Sequence, residues 1–133
     1  MSSNIPVYGS MKRPLSPEEG LKELSDGKLP WNQGEIEIEF ETDEFTSVCP
    51  STGQPDFNTI SVTYIPSKYY IESKTMKFYL WSFRDFGMHC EKLAVKIAED
   101  IKTAIGCRYV KAVVSQKPRG GLKLVSKAER GNV

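Results

Sequence analysis

The sequence is poor in residues that bind metals. Its 133 residues include one histidine, His89, and three cysteines, Cys49, Cys90 and Cys107, which are too widely separated for a zinc motif. Their odd number and wide spacing also give no disulfide framework. We therefore expect no metal-dependent catalysis and no structural disulfide.

Long apolar runs and a strong net charge are also missing. No segment approaches the roughly 20 apolar residues of a membrane helix, and residues 1–14 hold no apolar block of signal-peptide length. The formal charge of +1 gives no reason to propose binding to nucleic acid or to a membrane surface. With 39% apolar and 26% charged residues, we expect one folded domain in the cytoplasm.

Hydrophobic periodicity predicts an α+β domain of order β-β-α-α-β-β. Alternation predicts strands over residues 35–41, 60–65, 109–116 and 122–125, while helical spacing predicts a helix over 72–83 and a second one ending at Gly106. Both helices should cover one face of an antiparallel sheet. Because such a sheet has two open edges, we expect a homo-oligomer.

The N-terminal quarter of the chain has a different composition. Residues 1–33 carry four prolines and a weak helical pattern near residues 17–24, with Ser16 as its N-cap. We interpret residues 1–33 as an N-terminal arm and residues 34–133 as the single catalytic domain.

Residues 46–57 read Thr-Ser-Val-Cys-Pro-Ser-Thr-Gly-Gln-Pro-Asp-Phe and carry the first candidate site. Two prolines and a glycine predict a stiff loop that is neither helix nor central strand. A cysteine is more often a small buried hydrophobe, and an aspartate here is a common turn cap. The loop and its hydroxyls nevertheless favour a reactive thiolate at Cys49, with Asp56 as a proton carrier.

Three cations form a second candidate site. Lys74 and Lys77 share one helix face with Trp81, and Arg119 lies in a Pro-Arg-Gly-Gly turn. Charges on a helix are usually its solvated face, but three cations without nearby acidic partners are suited to phosphate. The ten glycines contain no Gly-x-Gly-x-x-Gly, so a dinucleotide must bind differently from the Rossmann mode. Glu91 is either a helix-dipole acid or an acceptor for a guanine-like edge.

Several segments then become recognisable: Glu44 to Phe57, Tyr64-Ile-Pro66, Glu72-Ser-Lys-Thr-Met-Lys-Phe-Tyr79, Ser82-Phe-Arg84 and Pro118-Arg-Gly-Gly121. Together they resemble the QueF nitrile reductases in their short, single-module form, over residues 35 to about 126. The Glu-Ser-Lys-x-x-Lys element is that family's signature. The resemblance implies the tunnelling fold, whose β-β-α-α-β-β units form a barrel of pentamers or a decamer with active sites between subunits.

The resemblance also implies an activity. The family reduces 7-cyano-7-deazaguanine to 7-aminomethyl-7-deazaguanine with NADPH, on the route to queuosine in tRNA. Cys49 would attack the nitrile carbon to form a thioimide, and Asp56 would handle the protons. The implied substrate-binding residues are His89, Cys90, Glu91, and Glu72 and Ser73 of a neighbouring subunit; the implied ligands of the NADPH phosphates are Lys74, Lys77 and Arg119.

One departure keeps alternatives open. Where the family usually reads Phe-His-Glu, this chain reads His89-Cys90-Glu91, and on a helix one residue is a rotation of about 100°. His89 therefore does not automatically replace the family histidine. One alternative is an amidinotransferase that adds ammonia to the thioimide, which the Glu-Ser-Lys-x-x-Lys signature disfavours. The other is a non-catalytic deazapurine-binding protein, which needs neither nucleophile nor proton carrier.

Overall fold

The structure, a computed structural model, describes residues 13–133. Its helices and strands follow in the order α1 (Pro17–Asp26), β1 (Leu29–Pro30), β2 (Ile38–Val48), β3 (Pro55–Ile65), β4 (Tyr69–Tyr70), α2 (Ser73–Trp81), α3 (Cys90–Ile105), β5 (Tyr109–Arg119) and β6 (Leu122–Gly131). The predicted β-β-α-α-β-β order is confirmed by β2, β3, α2, α3, β5 and β6. The small antiparallel pair of β1 and β4 was not predicted.

The main sheet is antiparallel, with the strand order β2-β3-β5-β6. β2 and β6 therefore form its two edges. β3 is a central strand on which alternate residues are buried: Asp56, Asn58, Ile60, Val62 and Tyr64. Residues 120 and 121, both glycines with positive φ, join β5 to β6 as a two-residue hairpin turn.

The ends of the strands differ from the prediction. β2 starts at Ile38 rather than residue 35, and Ile36 is exposed. The expectation that residues 46–57 lie outside strands is wrong at both ends, because β2 and β3 stay paired up to Val48 and Pro55. Pro55 is compatible with the strand as its first residue, where its missing N–H interrupts no ladder. The unpaired loop is therefore only residues 49–54.

Two helices cover one face of the sheet, as predicted. α3 packs against β5 and β6 with Leu93, Ile97 and Ile101 fully buried, and ends at Gly106 in the left-handed conformation, φ 60°. Tyr79 of α2 donates a hydrogen bond to the buried Asp100 of α3 at 2.7 Å. Burial and the adjacent Asp100 carboxylate raise the pKa of Tyr79 well above its ordinary value.

The helix predicted near residues 17–24 is confirmed as α1, with Ser16 accepting the capping bond from Glu19 N–H at 3.3 Å. α1 packs on α2 and α3, and its Leu24 is fully buried in the core. Residues 1–12 of the predicted arm lie outside the described residues. The division of the chain at residue 33 stays a prediction.

The segment between α2 and α3 is tied to the end of β2. Val48 N–H donates to the Phe86 carbonyl at 3.0 Å, and Met88 N–H donates to the Val48 carbonyl at 3.2 Å. These bonds place the start of α3 next to Cys49. Within residues 13–133, no helix combines the length and the apolar character needed to cross a membrane.

Gly20 is expected to fix how closely α1 approaches α2. A Cβ at Gly20 would lie 2.8 Å from Ser82 Cβ and would clash with Ser82 Oγ. Although alanine normally stabilises a helix by about 1 kcal/mol relative to glycine, overpacking should make Gly20→Ala destabilising by about 1–3 kcal/mol. Urea unfolding measures this change. The control Glu23→Ala, exposed on the same helix, should change stability by less than about 0.5 kcal/mol; a stabilised Gly20→Ala would contradict the packing.

Candidate active site

The loop over residues 49–54 holds Cys49 at the end of β2. Cys49 N–H donates to the Gln54 carbonyl at 2.9 Å, and Gly53 N–H donates to the Cys49 carbonyl at 2.8 Å. Gly53 has φ 75°, a conformation that glycine adopts without strain. Both backbone groups of Cys49 are therefore fixed, while its side chain remains partly exposed. The expected stiff loop with an accessible thiol is present.

The surroundings of Cys49 favour its thiolate. Hydrogen bonds from the Thr52 hydroxyl, and then from the backbone N–H groups of Ser51 and Thr52, lower the pKa of the Cys49 thiol. The negative charge of Asp56 opposes this effect. Cys90 and Cys107 differ, because burial raises the pKa of both thiols. Among the three cysteines, Cys49 alone combines exposure with a lowered pKa.

Asp56 is buried, with 5% of its surface exposed, and is paired with a cation. Arg119 Nη2 lies 2.7 Å from Asp56 Oδ1, and Gln116 Nε2 donates to the same oxygen at 3.3 Å. Arg119 also donates to the Pro55 carbonyl at 2.7 Å. The expectation that Arg119 has no nearby acidic partner is therefore wrong. The antiparallel register of β3 with β5 pairs Asn58 with Gln116 and so brings Arg119 beside Pro55 and Asp56.

Gln116 is a residue of this site that sequence reasoning missed. Nothing in its local sequence marks it as functional, since its proximity to Asp56 comes from pairing between β3 and β5, far apart in the chain. Strand register was the signal that could have identified it. Continuing the pairing of the predicted strands 60–65 and 109–116 two residues beyond Ile60 would have placed Gln116 opposite Asn58, next to Asp56.

The start of α3 presents His89 to the loop and buries Cys90. His89 Nε2 lies 3.5 Å from Ser51 Oγ, and His89 is exposed. Cys90 is buried, with its Sγ 3.7 Å from the Val114 carbonyl and 3.8 Å from Ser126 Oγ. Glu91 is exposed in the first turn of the helix. His89 and Glu91 are thus exposed, with His89 beside the Cys49 loop, whereas the Cys90 thiol points into the fold.

Glu72 and Ser73 lie at the opposite end of the sheet. Glu72 is the N-cap of α2, where its carboxylate accepts from Thr75 N–H at 3.1 Å. The preceding residue, Ile71, donates its N–H to the Tyr64 hydroxyl at 2.9 Å. Tyr64 lies nine residues from Pro55 along β3, which is roughly 30 Å at about 3.3 Å per residue. One chain therefore does not bring Glu72 and Ser73 to its own Cys49.

A cleft of about 1140 Å³ separates α2 from β2 and β3. Its helical wall includes Lys74, Lys77, Trp81 and Arg84, and its sheet wall includes hydrophobic and acidic residues, among them Phe40, Glu41, Glu44, Val48 and Phe57. Within residues 13–133 the three cations of that wall form no ion pair. This volume is slightly above the usual range of ligand sites, about 300–1,000 Å³. Unpaired cations along so large a cleft fit a phosphate-bearing dinucleotide.

The model of the family described as "QueF-like protein" matches residues 55–133, more than half of the chain. The chain belongs to the QueF-like family. The matched QueF-like region contains Asp56, the Glu-Ser-Lys-x-x-Lys element and Arg119, while Cys49 precedes it.

Curated members of the family are similar over most of their length. A protein of Anaeromyxobacter sp. (strain Fw109-5) is 41% identical over 86% of this chain and 94% of its own. One of Thermomicrobium roseum is 39% identical over 82% of this chain and 85% of its own. Both are named NADPH-dependent 7-cyano-7-deazaguanine reductase.

A solved structure shares the fold. The archaeosine synthase QueF-Like, in its apo form, superimposes with a TM-score of 0.66 at 28% identity, covering 77% of this chain and 99% of that protein. The α+β architecture with an antiparallel sheet and the likeness to a QueF-like structure confirm the predicted tunnelling fold.

The thiol of Cys49 should be the most reactive in this QueF-like chain. Iodoacetamide, followed by peptide mass spectrometry, should label Cys49 well before Cys90 and Cys107, because thiolate is the reacting form. Thr52→Val removes the hydroxyl that contributes most to the lowered pKa of Cys49. The pH at which Cys49 is labelled at half its maximal rate should therefore rise. Thr42→Val, on β2 away from the loop, is the control. Equal labelling of all three cysteines, or an unchanged midpoint in Thr52→Val, would contradict this account.

Proposed function

We propose that this chain reduces the nitrile of 7-cyano-7-deazaguanine to the amine of 7-aminomethyl-7-deazaguanine with NADPH. The observation that carries the proposal is the pairing of a low-pKa, accessible Cys49 with a buried, charge-paired Asp56 at the ends of two adjacent strands. The relatives with which the chain shares about 40% identity carry this activity in their names.

Cys49 acts first, as the nucleophile. Its Sγ adds to the nitrile carbon, a C–S bond forms, and one C–N π bond breaks with its electron pair going to nitrogen. Asp56 takes the proton of the thiol and passes it to that nitrogen, so the product is a neutral thioimide. After a hydride has added to the thioimide carbon and a proton to its nitrogen, the nitrogen lone pair re-forms the C–N double bond as the C–S bond breaks. The Cys49 thiolate leaves, and the resulting imine accepts the second hydride.

Full reduction from nitrile to amine consumes four electrons and four hydrogens. Bound NADPH would supply the hydride for each of the two reduction steps, and two protons would complete the balance. Asp56 is the proposed carrier of those protons because it sits next to the Cys49 loop, where Arg119 Nη2 holds its carboxylate at 2.7 Å. A positioned acid of this kind typically contributes about 10²–10⁴-fold to a proton-transfer step.

Lys74 and Lys77 are the proposed ligands of the NADPH phosphates. Both line the cleft, and neither has a carboxylate partner within the part of the chain that the structure describes. Arg119 is the third proposed ligand. A guanidinium has five N–H donors, so the bonds of Arg119 to Asp56 and Pro55 leave donors for a phosphate oxygen. Arg119 thereby connects the cofactor to the proton carrier.

The substrate-binding residues are proposed to come from two subunits. His89 lies beside the Cys49 loop of one subunit, and Glu91 lies two residues further along, in the first turn of α3. The buried Cys90 between them fixes the start of that helix. Glu72 and Ser73 come from a neighbour, because in one chain they lie at the far end of the sheet. The open edges β2 and β6 supply the surfaces through which subunits join into a barrel.

Incubation with 7-cyano-7-deazaguanine should cause loss of NADPH absorbance at 340 nm, with two NADPH consumed per amine formed. Cys49→Ala should reduce the rate to background because no thioimide forms, and Asp56→Asn should slow it by about 10²–10⁴-fold. Cys107→Ala is the control, since Cys107 is buried away from the loop.

Other outcomes would overturn this function. An amidine formed with ammonium and without NADPH would identify an amidinotransferase. Unchanged ligand affinity in Cys49→Ala, with no adduct on the unmodified protein, would identify a binding protein.

Two inactive variants should complement each other if the site lies between subunits. Cys49→Ala and Glu72→Gln should each be inactive as pure proteins. When they are co-expressed at equal levels, about a quarter of the sites should combine an intact Cys49 with an intact Glu72 of the neighbour. Activity near a quarter of the unmodified level is therefore expected. Co-expression of Cys49→Ala with Asp56→Asn, both on the same loop side of the site, is the control and should stay inactive; equal recovery in both pairs, or none in the first, would contradict the shared site.

A further inference from the structure

Trp81 is an exposed aromatic residue that the proposed chemistry does not use. It is the last residue of α2, and 42% of its surface is exposed. Large aromatic side chains are mostly buried in folded proteins, so an exposed tryptophan in a cleft points to a ligand or a partner. The Phe78 ring stacks against it, with centroids 5.9 Å apart and an interplanar angle of 21°. One face of the Trp81 ring is thus supported by the helix.

Trp81 shares the cleft with the proposed phosphate ligands. Lys74, Lys77 and Trp81 all line its helical wall, and Lys77 and Trp81 are one helical turn apart. Arg84, which also lines the cleft, is fixed next to Trp81 by the bond from its N–H to the Trp81 carbonyl at 3.1 Å. An aromatic plane flanked by cations matches a ligand that carries both a flat ring and phosphates.

The order of residues along α2 indicates which part of the cofactor would lie against Trp81. Glu72 and Ser73, proposed to contact the substrate, stand at the start of the helix; the two lysines follow, and Trp81 comes last. Glu72 and Trp81 are about 14 Å apart along the axis at 1.5 Å per residue. Glu72 is proposed to contact the substrate held by the Cys49 of a neighbouring subunit. Because the hydride must reach that substrate, the nicotinamide belongs near Glu72 and the phosphates belong at the lysines. The adenine is then the ring that lies at Trp81.

We propose that the indole of Trp81 stacks on the adenine ring of NADPH and positions the adenosine half of the cofactor. This inference rests on the proposed function, because it concerns the same cofactor. Stacking of a base on an aromatic side chain is worth about ten- to hundredfold in affinity. Trp81 is thus a cofactor-binding residue whose effect falls on affinity for NADPH more than on the chemical step.

The two tryptophans of the chain, Trp31 and Trp81, allow a direct spectroscopic test. Trp31 packs edge-on against Tyr70 and donates to the Gly34 carbonyl at 2.7 Å, and it does not line the cleft. In Trp31→Phe, Trp81 is therefore the sole indole. The probe is 2′,5′-ADP, which carries adenine and phosphates but no nicotinamide. It should quench the fluorescence of Trp31→Phe and leave that of Trp81→Phe unchanged.

Affinity and kinetics give a second readout. Trp81→Ala should weaken 2′,5′-ADP binding and raise KM for NADPH by about ten- to hundredfold, with kcat changed far less, and Trp81→Phe should recover most of the affinity. Reduced nicotinamide mononucleotide, which has no adenine, should bind Trp81→Ala and the unmodified protein equally. Trp31→Phe is the matched control and should leave both constants unchanged.

Three results would overturn the inference. They are absence of quenching by 2′,5′-ADP, equal 2′,5′-ADP affinity in Trp81→Ala, and a change in sedimentation of Trp81→Ala, which would assign Trp81 to a contact between subunits. The proposed function fails separately. If 2′,5′-ADP binds through Trp81 but the nitrile is not reduced, stacking holds and reduction is wrong; if the nitrile is reduced while Trp81 variants bind normally, only stacking is wrong.

Discussion

The pairing of β2 with β3 up to Val48 and Pro55 is the constraint on which the rest of the site depends. It leaves residues 49–54 as a short loop. Cys49 is the first residue after the paired part of β2, and Asp56 is the second paired residue of β3. On the other side of β3, the ladder with β5 has the register that brings Gln116 and Arg119 to Asp56. On the edge of β2 that faces away from β3, the Val48 backbone forms hydrogen bonds with Phe86 and Met88 and so holds the start of α3 next to the loop. A slip of one residue would turn Asp56 to the opposite face of the sheet.

The two negative groups of the site, the Asp56 carboxylate and the Cys49 thiolate, are stabilised by different partners. A buried carboxylate is costly unless it is paired, and Arg119 with Gln116 satisfies Asp56. The Cys49 thiolate is stabilised instead by uncharged donors, the Thr52 hydroxyl and two backbone N–H groups. The guanidinium thus faces Asp56 and the uncharged donors face Cys49, so each of the two groups has its own stabilising partners. Such an arrangement suits a nucleophile and a proton carrier that act in succession.

Much of the fold was predictable because its signals are local. The alternation before residue 41, the four-residue spacing of Leu93, Ile97 and Ile101, and the stop at Gly106 depend only on neighbouring residues. What failed depends on contacts distant in sequence. Pro55 reads as a loop residue by itself but begins a central strand, because β2 and β5 pair with the residues that follow it.

The same distinction separates the predictable and unpredictable parts of the site. Cys49, the lysines and Arg119 were predicted from their motifs, whereas the Asp56–Arg119 pair arises from strand register across more than 60 residues. The most direct test of the central claim is the intact mass of the protein incubated with 7-cyano-7-deazaguanine, before and after addition of NADPH. We predict an adduct of the full substrate mass on the peptide containing Cys49, which NADPH then discharges as the free amine. An adduct on another residue, or one that persists in the presence of NADPH, would contradict the account.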